Sequence, residues 1–375
     1  MEASSGRNPE IEVLRGVAVM LVILNHVEVL LPWHHGLGWD FGGGLWCGVD
    51  LFFCISGYVI ARSLLPRLRG ASGEAFWREA GAFWIRRFFR LAPSAWLWLA
   101  IPILLSAVTR RTDLFGHIQL DLADATAAVL HVANFHWAAC VAGQAHCGVL
   151  SVYWSLSLEE QFYLVLPFVA VFAGRLLPQV LGFGVVLQLL LPRPQFGSLL
   201  SFVRTDAIML GVLIALAEGG PMARALAPRF LESRIWRPLP FTLLVLMVGA
   251  ARYAIVPFHM GLVAVLAAGL VWIASFDRGY LRRVGRWRGL MGWIGERSYS
   301  LYLIHLPSFW IARAMLARVL PPVASRGWAP DVFVIAVATA LLILLVEANL
   351  RLIERPARRY GHRVAEDLAR THHEI

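Results

Sequence analysis

Long apolar runs constrain the fold of this chain more than any other feature. A helix needs about 20 apolar residues to cross a bilayer, and runs of roughly that length lie at 13–31, 45–64, 92–108, 152–173, 199–217, 240–257, 259–276, 298–320 and 331–353. Hydrophobic residues make up 58% of the chain and charged residues 15%, whereas a soluble domain has about 45–50% and 25%. The sequence therefore predicts an all-α, polytopic bundle of transmembrane helices.

The distribution of arginine predicts the orientation of this bundle. If the N-terminus is cytoplasmic and the shorter run at 180–192 also spans, 24 arginines fall in inside segments and 4 in outside loops. Without that extra span every later loop would invert, and this positive-inside bias would be lost. We predict about ten spans, with both termini cytoplasmic: an N-terminal segment 1–12, a membrane domain 13–353 and a basic tail 354–375. Because the positive charge lies in short loops, it does not indicate a nucleic-acid partner.

Two cysteines fall in the predicted outside loop HWAACVAGQAHC. In an oxidising periplasm Cys140 and Cys147 would close a small disulfide ring; the alternative is two unpaired thiols in a partly buried loop. His136 and His146 flank the pair and would suit a metal ion, but we expect no metal here.

Two ionisable residues of the first run are predicted to share one helix face. Charged groups within a span are costly and are therefore functional candidates. Arg15 and His26 are eleven residues apart, which in a continuous helix is about 20° past three full turns and about 16 Å along the axis. This places Arg15 near the cytoplasmic end and His26 in the outer half of the span.

Acidic residues of two other spans are predicted to lie at the depth of His26. Asp50 is about five residues into the second span from outside, and Glu159, followed by Glu160, is seven or eight residues into the fourth. A histidine with acidic partners in one layer would form a polar site. A single intramembrane histidine can equally be a structural hydrogen-bonding residue.

The other candidates have structural alternatives. Arg204 and Asp206 lie near the outer end of the sixth span, where they would form a polar pair. His305, in the ninth span, is predicted to lie lower, toward the cytoplasm. Arg87 and Arg90 are three residues apart in FWIRRFFRLAP and share a helix face, where they would anchor the topology or bind an anion.

These residues suit acyl transfer across a membrane. The donor of activated acyl groups is a cytoplasmic coenzyme A thioester, whose phosphates Arg15, Arg87 and Arg90 would hold. A neutral His26 would remove the proton of an acceptor hydroxyl. Asp50 or Glu159 would fix its tautomer and stabilise the imidazolium.

Several motifs in order resemble the membrane acyltransferase 3 family, the bacterial integral-membrane O-acyltransferases. They are IEVLRGVAVMLVILNH with Arg15 and His26; GVDLFFCISGYVI with Asp50, Ser56 and Tyr58; RRFFRLAP with Arg87 and Arg90; VYWSLSLEEQFYLVLPF with Trp154 and Glu159; RTDAIMLGVLIAL with Arg204 and Asp206; SYSLYLIHLP with His305; and IERPARR. The resemblance extends from Ile11 to about Pro356. Each motif alone is weak evidence, but their order is specific.

The resemblance implies an O-acyltransferase of the bacterial inner membrane. It would move an acyl group, most often acetyl, from acyl-CoA as co-substrate to a hydroxyl of a glycan or lipid-linked saccharide, with no permanently bound cofactor. It also implies that His26 and Arg15 are indispensable. Some relatives carry an added extracytoplasmic domain; because this sequence ends soon after the last run, we expect the spans, the loops or a glycan-assembly protein to present the acceptor.

Two other functions remain open at this point. Within the family the acceptor would instead be a secondary metabolite, such as a macrolide sugar. From another class, the chain would be a transporter or acyl conduit. Transporters often have internal repeats and broken helices, and the sequence shows neither clearly.

Overall fold

The computed structural model describes residues 8–31, 43–109, 115–193, 198–220, 225, 227–281, 287–316 and 328–370. This part of the chain is helical and contains no strand, as the sequence predicts. The α-helices, in chain order, are α1 Pro9–Asn25, α2 Val27–Leu30, α3 Cys47–Leu68, α4 Gly73–Val108, α5 Ile118–Val129, α6 Ala133–Val141, α7 Tyr153–Ala173, α8 Leu177–Leu190, α9 Leu199–Phe202, α10 Asp206–Glu218, α11 Leu239–Tyr253, α12 His259–Ser275, α13 Trp287–Glu296, α14 Ser298–Leu316, α15 Trp328–Asn349 and α16 Arg355–Arg370.

Six helical segments within the described residues are long and apolar enough to cross a membrane. They are Cys47–Leu68, Gly73–Val108, Tyr153–Leu190, Leu199–Glu218, Arg234–Tyr253 and Asp331–Ala369, with His259–Ser275 as a shorter apolar helix. These helices, together with their composition, indicate an integral membrane protein. The larger number of spans and the cytoplasmic termini stay predictions.

Two apolar runs that read as continuous in the sequence are broken in the structure. The first is interrupted at His26, between α1 and α2, and the run at 199–217 is interrupted between α9 and α10. The sequence did not show these breaks clearly, but the structure contains both. Mean hydropathy over a whole run did not reveal either break, because the many apolar residues of the run outweigh the few polar ones at the break, such as His26 and Arg204.

The described residues divide into two compact units. The first is drawn from Met1–Asn25, Phe41–Arg69 and Val165–Ser298. Within it α3 and α10 are in very close contact, because a Cβ added at Gly57 would collide with the carbonyl oxygen of Ile208, and one at Gly211 with that of Cys54. Small residues at a helix crossing let two backbones approach in this way.

The second unit is drawn from His26–Asp40, Gly70–Leu164 and Tyr299–Ile375. Its longest helix is α4, with 36 residues, so most of the predicted cytoplasmic loop at 62–91 is helical. Residues 355–370, predicted as a basic tail, form α16, which packs on α4. A π-helical turn at Leu350–Glu354 joins α15 to α16, just before Pro356, which has no N–H to continue a regular helix.

A buried polar network joins α15 to α4 and α14 within this second unit. Asn349 accepts from Trp98 Nε1 at 3.0 Å and donates to Ser94 at 3.1 Å and to Ser300 at 2.9 Å. Ser300 in turn donates to Glu354 at 2.8 Å. Because each group finds a partner, the network is compatible with an apolar interior, and it fixes the start of α14.

Candidate active site

His26 lies at a helix break. The helix α1 ends at Asn25, and His26 has φ −104° and ψ 8° before α2 begins at Val27. The predicted common face of Arg15 and His26 assumed a continuous helix, whereas α1 ends one residue before His26, so the common face stays a prediction. The two residues also belong to different compact units.

His305 is the partner of His26 within the second unit. Its Nε2 atom lies 3.3 Å from Nδ1 of His26, and the ring centroids are 5.0 Å apart. Its Nδ1 atom lies 2.8 Å from the carbonyl oxygen of Tyr302, and the side chain is fully buried. The prediction that His305 lies nearer the cytoplasm is wrong. The depth of a residue in the membrane, when inferred from the ends of an apolar run, shifts by about 1.5 Å for each residue by which those ends shift.

The helix that carries His305 is anchored on the start of α7. The Tyr302 hydroxyl donates to the carbonyl of Val152 at 3.0 Å and lies 2.6 Å from the Ser155 hydroxyl. Trp154, a motif residue, is buried in the same turn. These contacts hold the backbone at Tyr302 in place, and the carbonyl of Tyr302 is the group that hydrogen-bonds His305.

A cavity of about 620 Å³ lies in the second unit, lined mainly by apolar side chains of α4, α7 and the turn between α5 and α6. Its lining also includes an arginine and a glutamate, Arg87 and Glu160. The Arg87 guanidinium lies 5.3 Å from the ring centroid of Tyr163 and 5.8 Å from that of Phe83. Tyr299, at the start of α14, lines the cavity as well.

Glu160, and not the predicted Glu159, lines this cavity. Glu159 accepts a hydrogen bond from the Tyr163 hydroxyl at 2.6 Å. Ser157, Glu160 and Leu164 line the cavity at the i, i+3 and i+7 spacing of one helix face, but the sequence alone does not show which face of α7 borders a cavity.

Asp50 is held by Arg204 within the first unit. Its two oxygens accept from Nε and Nη2 of Arg204 at 2.9 and 3.0 Å, and both side chains are buried. The predicted pair of Arg204 with Asp206 is therefore wrong, since Asp206 instead pairs with Arg193, which had been assigned to an outside loop. Because both oxygens of Asp50 are engaged, we assign its charge to Arg204.

The other motif residues have the following surroundings. The Tyr58 hydroxyl donates to Glu218 at 2.8 Å and accepts from Arg62 at 2.9 Å, while Ser56 is half-buried on the same helix. Nε of Arg15 donates to the Ser298 hydroxyl at 3.2 Å.

Arg15 also pairs with Glu12 at 3.6 Å. Arg90 lies one turn beyond Arg87 on α4 and interacts electrostatically with Tyr299. Arg87 and Arg90 are both half-buried.

The loop cysteines Cys140 and Cys147 form a disulfide with 5.8 Å between their Cα atoms. Nε2 of His136 lies near both sulfur atoms, but it is 2.9 Å from the Asp124 carboxylate. Burial lowers the pKa of His131, which lines the cavity from the turn before α6.

A family model described as an acyltransferase domain matches residues 8–347. The chain belongs to this acyltransferase family. It is 28% identical over 376 residues to the peptidoglycan O-acetyltransferase OatA of Listeria monocytogenes serovar 1/2a, covering 94% of this chain and 56% of the relative. It is 28% identical over 380 residues to the putative peptidoglycan O-acetyltransferase YrhL of Bacillus subtilis, covering 95% and 55%.

A further relative in the acyltransferase family is the O-acetyltransferase OatA of Staphylococcus aureus, 26% identical over 387 residues, covering 94% of this chain and 57% of the relative. This chain thus spans little more than half the length of the curated relatives that it matches. No solved structure matches it significantly.

Proposed function

We propose that this chain is an O-acyltransferase of the bacterial inner membrane that moves an acyl group, acetyl in the first instance, from acyl-CoA to a hydroxyl of a glycan. The family and the names of its relatives support the reaction class. The observation that carries the chemistry is the contact of His26 with the buried His305, because a histidine held at a fixed nitrogen is suited to general-base catalysis.

The cavity supports a site for the acyl donor in the same unit. Arg87 would bind a phosphate of coenzyme A, as guanidinium groups do, with Arg90 one turn away. Tyr299 at the cavity and His305 are six residues apart on α14, a rise of about 9 Å. A thioester at the end of the long, flexible arm of coenzyme A would span that distance.

The proposed chemistry uses His26 as a proton carrier. An imidazole nitrogen of His26 takes the proton of the acceptor hydroxyl while the hydroxyl oxygen attacks the thioester carbonyl. The new C–O bond forms, the C–S bond breaks, and the coenzyme A thiolate leaves and recovers the proton. Such a base contributes roughly 10²–10⁴-fold to the rate.

The acceptor is proposed from the relatives, two of which are named as peptidoglycan enzymes. A polysaccharide or its lipid-linked precursor is the corresponding substrate class, and glycan-assembly proteins are the expected partners. The second candidate is an acyl conduit or transporter, which the broken helices favour because such breaks often line transport sites.

Ester formation separates the two candidates. The purified protein in nanodiscs should hydrolyse labelled acetyl-CoA slowly alone and form a labelled, alkali-sensitive ester when peptidoglycan fragments are added. His26→Gln should lower ester formation by roughly 10²-fold or more, whereas the exposed Glu28→Gln, two residues away, should not. The same protein can be placed in liposomes of the same lipid composition. Movement of label across their membrane without ester formation would instead support the conduit.

A further inference from the structure

The hydrogen bonds of His305 determine which of its nitrogens carries a proton. Nδ1 lies 2.8 Å from the carbonyl oxygen of Tyr302, and a carbonyl oxygen only accepts. Nδ1 must therefore be the protonated nitrogen. In a neutral imidazole the other nitrogen, Nε2, then has a lone pair and accepts.

The tautomer of His26 follows from that of His305, because His305 Nε2 lies 3.3 Å from His26 Nδ1. Because His305 Nε2 accepts, Nδ1 of His26 must donate. We propose that His305 is a positioning residue that fixes His26 in its Nδ1–H tautomer and so presents Nε2 of His26 as the base. This inference rests on the proposed acyl transfer and names the atom that performs it.

The surroundings of His305 exclude a charged imidazolium, which would reverse these roles. The side chain is fully buried, and a buried charge requires a partner of opposite sign. Within the described residues His305 hydrogen-bonds the Tyr302 carbonyl and contacts His26, and neither partner carries a negative charge; its ring also packs on those of Tyr302 and Phe309. The neutral form is therefore the one that satisfies both hydrogen bonds.

The geometry also assigns different roles to the two histidines. Both nitrogens of His305 are engaged and the ring is inaccessible, so His305 cannot take a substrate proton. His26 is half-buried and can meet a substrate. When His26 becomes positively charged during the reaction, its Nδ1–H bond to His305 becomes charge-assisted and stronger, which stabilises that state more than the ground state.

Two substitutions of His305 separate positioning from packing. The side-chain oxygen of His305→Gln can still accept from His26 Nδ1, whereas His305→Leu fills the apolar space without an acceptor. We expect His305→Leu to lower kcat roughly 10- to 100-fold, the size of effect seen when a group that orients a metal-bound histidine is lost, with little change in KM for acetyl-CoA. The kcat of His305→Gln should stay within a few-fold of that of the wild type. As a control, Met315→Leu, at an exposed position on the same helix, should have the kcat of the wild type.

Nitrogen-15 NMR of histidine-labelled protein gives the readout that packing alone would not move. In the wild type, His26 should show a protonated Nδ1 and an unprotonated Nε2, and His305→Leu should shift His26 toward the other tautomer. An Nε2–H form of His26 in the wild type overturns the proposal, even if the variants do not fold. The proposal is also overturned if His305→Gln and His305→Leu lose kcat equally, or if His305→Leu keeps the kcat of the wild type. An active His26→Gln protein would instead overturn the proposed function itself.

Discussion

The buried pair of Asp50 and Arg204 gives a prediction whose magnitude follows from the structure. Arg204 donates two hydrogen bonds to Asp50, with 1% and 0% of the two side chains exposed. In Asp50→Asn the arginine keeps its charge but loses the counter-charge. We therefore expect a loss of stability and not a selective loss of catalysis.

The expected cost comes from leaving one charge buried. Breaking a buried pair by removing one partner costs about 3–5 kcal/mol, or roughly 10²- to 10⁴-fold in the ratio of folded to unfolded protein. Replacing both residues by apolar ones of similar volume is often neutral. Asp50→Leu together with Arg204→Met should therefore be more stable than Asp50→Leu alone, although the Ser201 carbonyl loses the hydrogen bond that Arg204 donates to it.

The chain contains its own reporter for this unfolding. Cys47 and Cys54 are buried, free thiols on α3, the helix that carries Asp50, whereas the remaining two cysteines are joined in the disulfide. A maleimide dye that fluoresces on reaction with thiols will thus follow the opening of α3 on heating. The control is the pair Glu347–Arg351, with the arginine 68% exposed, whose loss should cost about 0–1 kcal/mol.

The cycle has a clear contrary result. If Asp50→Leu with Arg204→Met lowers the unfolding midpoint by the sum of the shifts of the two single substitutions, the residues do not stabilise the fold as a pair. If Asp50→Asn unfolds like the wild type but fails to transfer acyl groups, Asp50 is catalytic and the assignment of its charge to Arg204 is wrong.

Three further outcomes are expected. For topology, a cysteine at the exposed Arg359 should be labelled only from the cytoplasm and one at Val141, 44% exposed, only from outside; labelling of both from the same side would contradict the arginine rule. For the loop, mass spectrometry of a non-reduced digest should recover Cys140 joined to Cys147, and free thiols from periplasm-exposed protein would contradict this. For the donor, Arg87→Ala should weaken acyl-CoA binding roughly 10- to 100-fold, the worth of a charge-assisted hydrogen bond, with partial rescue by Lys; Arg351→Ala is the control, and unchanged affinity would leave Arg87 a topological anchor.

The sequence was sufficient for the helical elements because they depend on local properties. A run such as 45–64 is apolar over enough residues to be a buried or membrane helix whatever surrounds it, and the structure has α3 there. The extension of α4 below residue 92 was missed because Arg86, Arg87 and Arg90 lower the hydropathy of that stretch. Charged residues do not end a helix, however; arginine is a good helix former.

The pairing of polar residues could not be predicted, because it depends on tertiary packing. Arg204 could reach Asp206 two residues away, yet it pairs with Asp50, 154 residues earlier. The close contact of α3 with α10 at Gly57 and Gly211 decides this choice. The motif did identify His26 and His305 as candidates, but only the fold places their nitrogens 3.3 Å apart.

The broken helices explain why charged and polar residues occur in these apolar runs. A break leaves carbonyl and N–H groups that cannot be satisfied by lipid. Between α9 and α10, Arg204 donates to the carbonyl of Ser201, while Gln188 accepts from the N–H groups of Thr205 and Asp206 at 2.8 and 3.1 Å.

The break at His26 is satisfied in the same way. Arg313 donates to the carbonyl of Val29 in the short helix α2 at 3.0 Å, and His26 itself offers its carbonyl to the N–H of Val29 at 3.0 Å. At this break the imidazole of His26 contacts His305, so the polar groups that satisfy the backbone of the break also stabilise the segment that carries the imidazole.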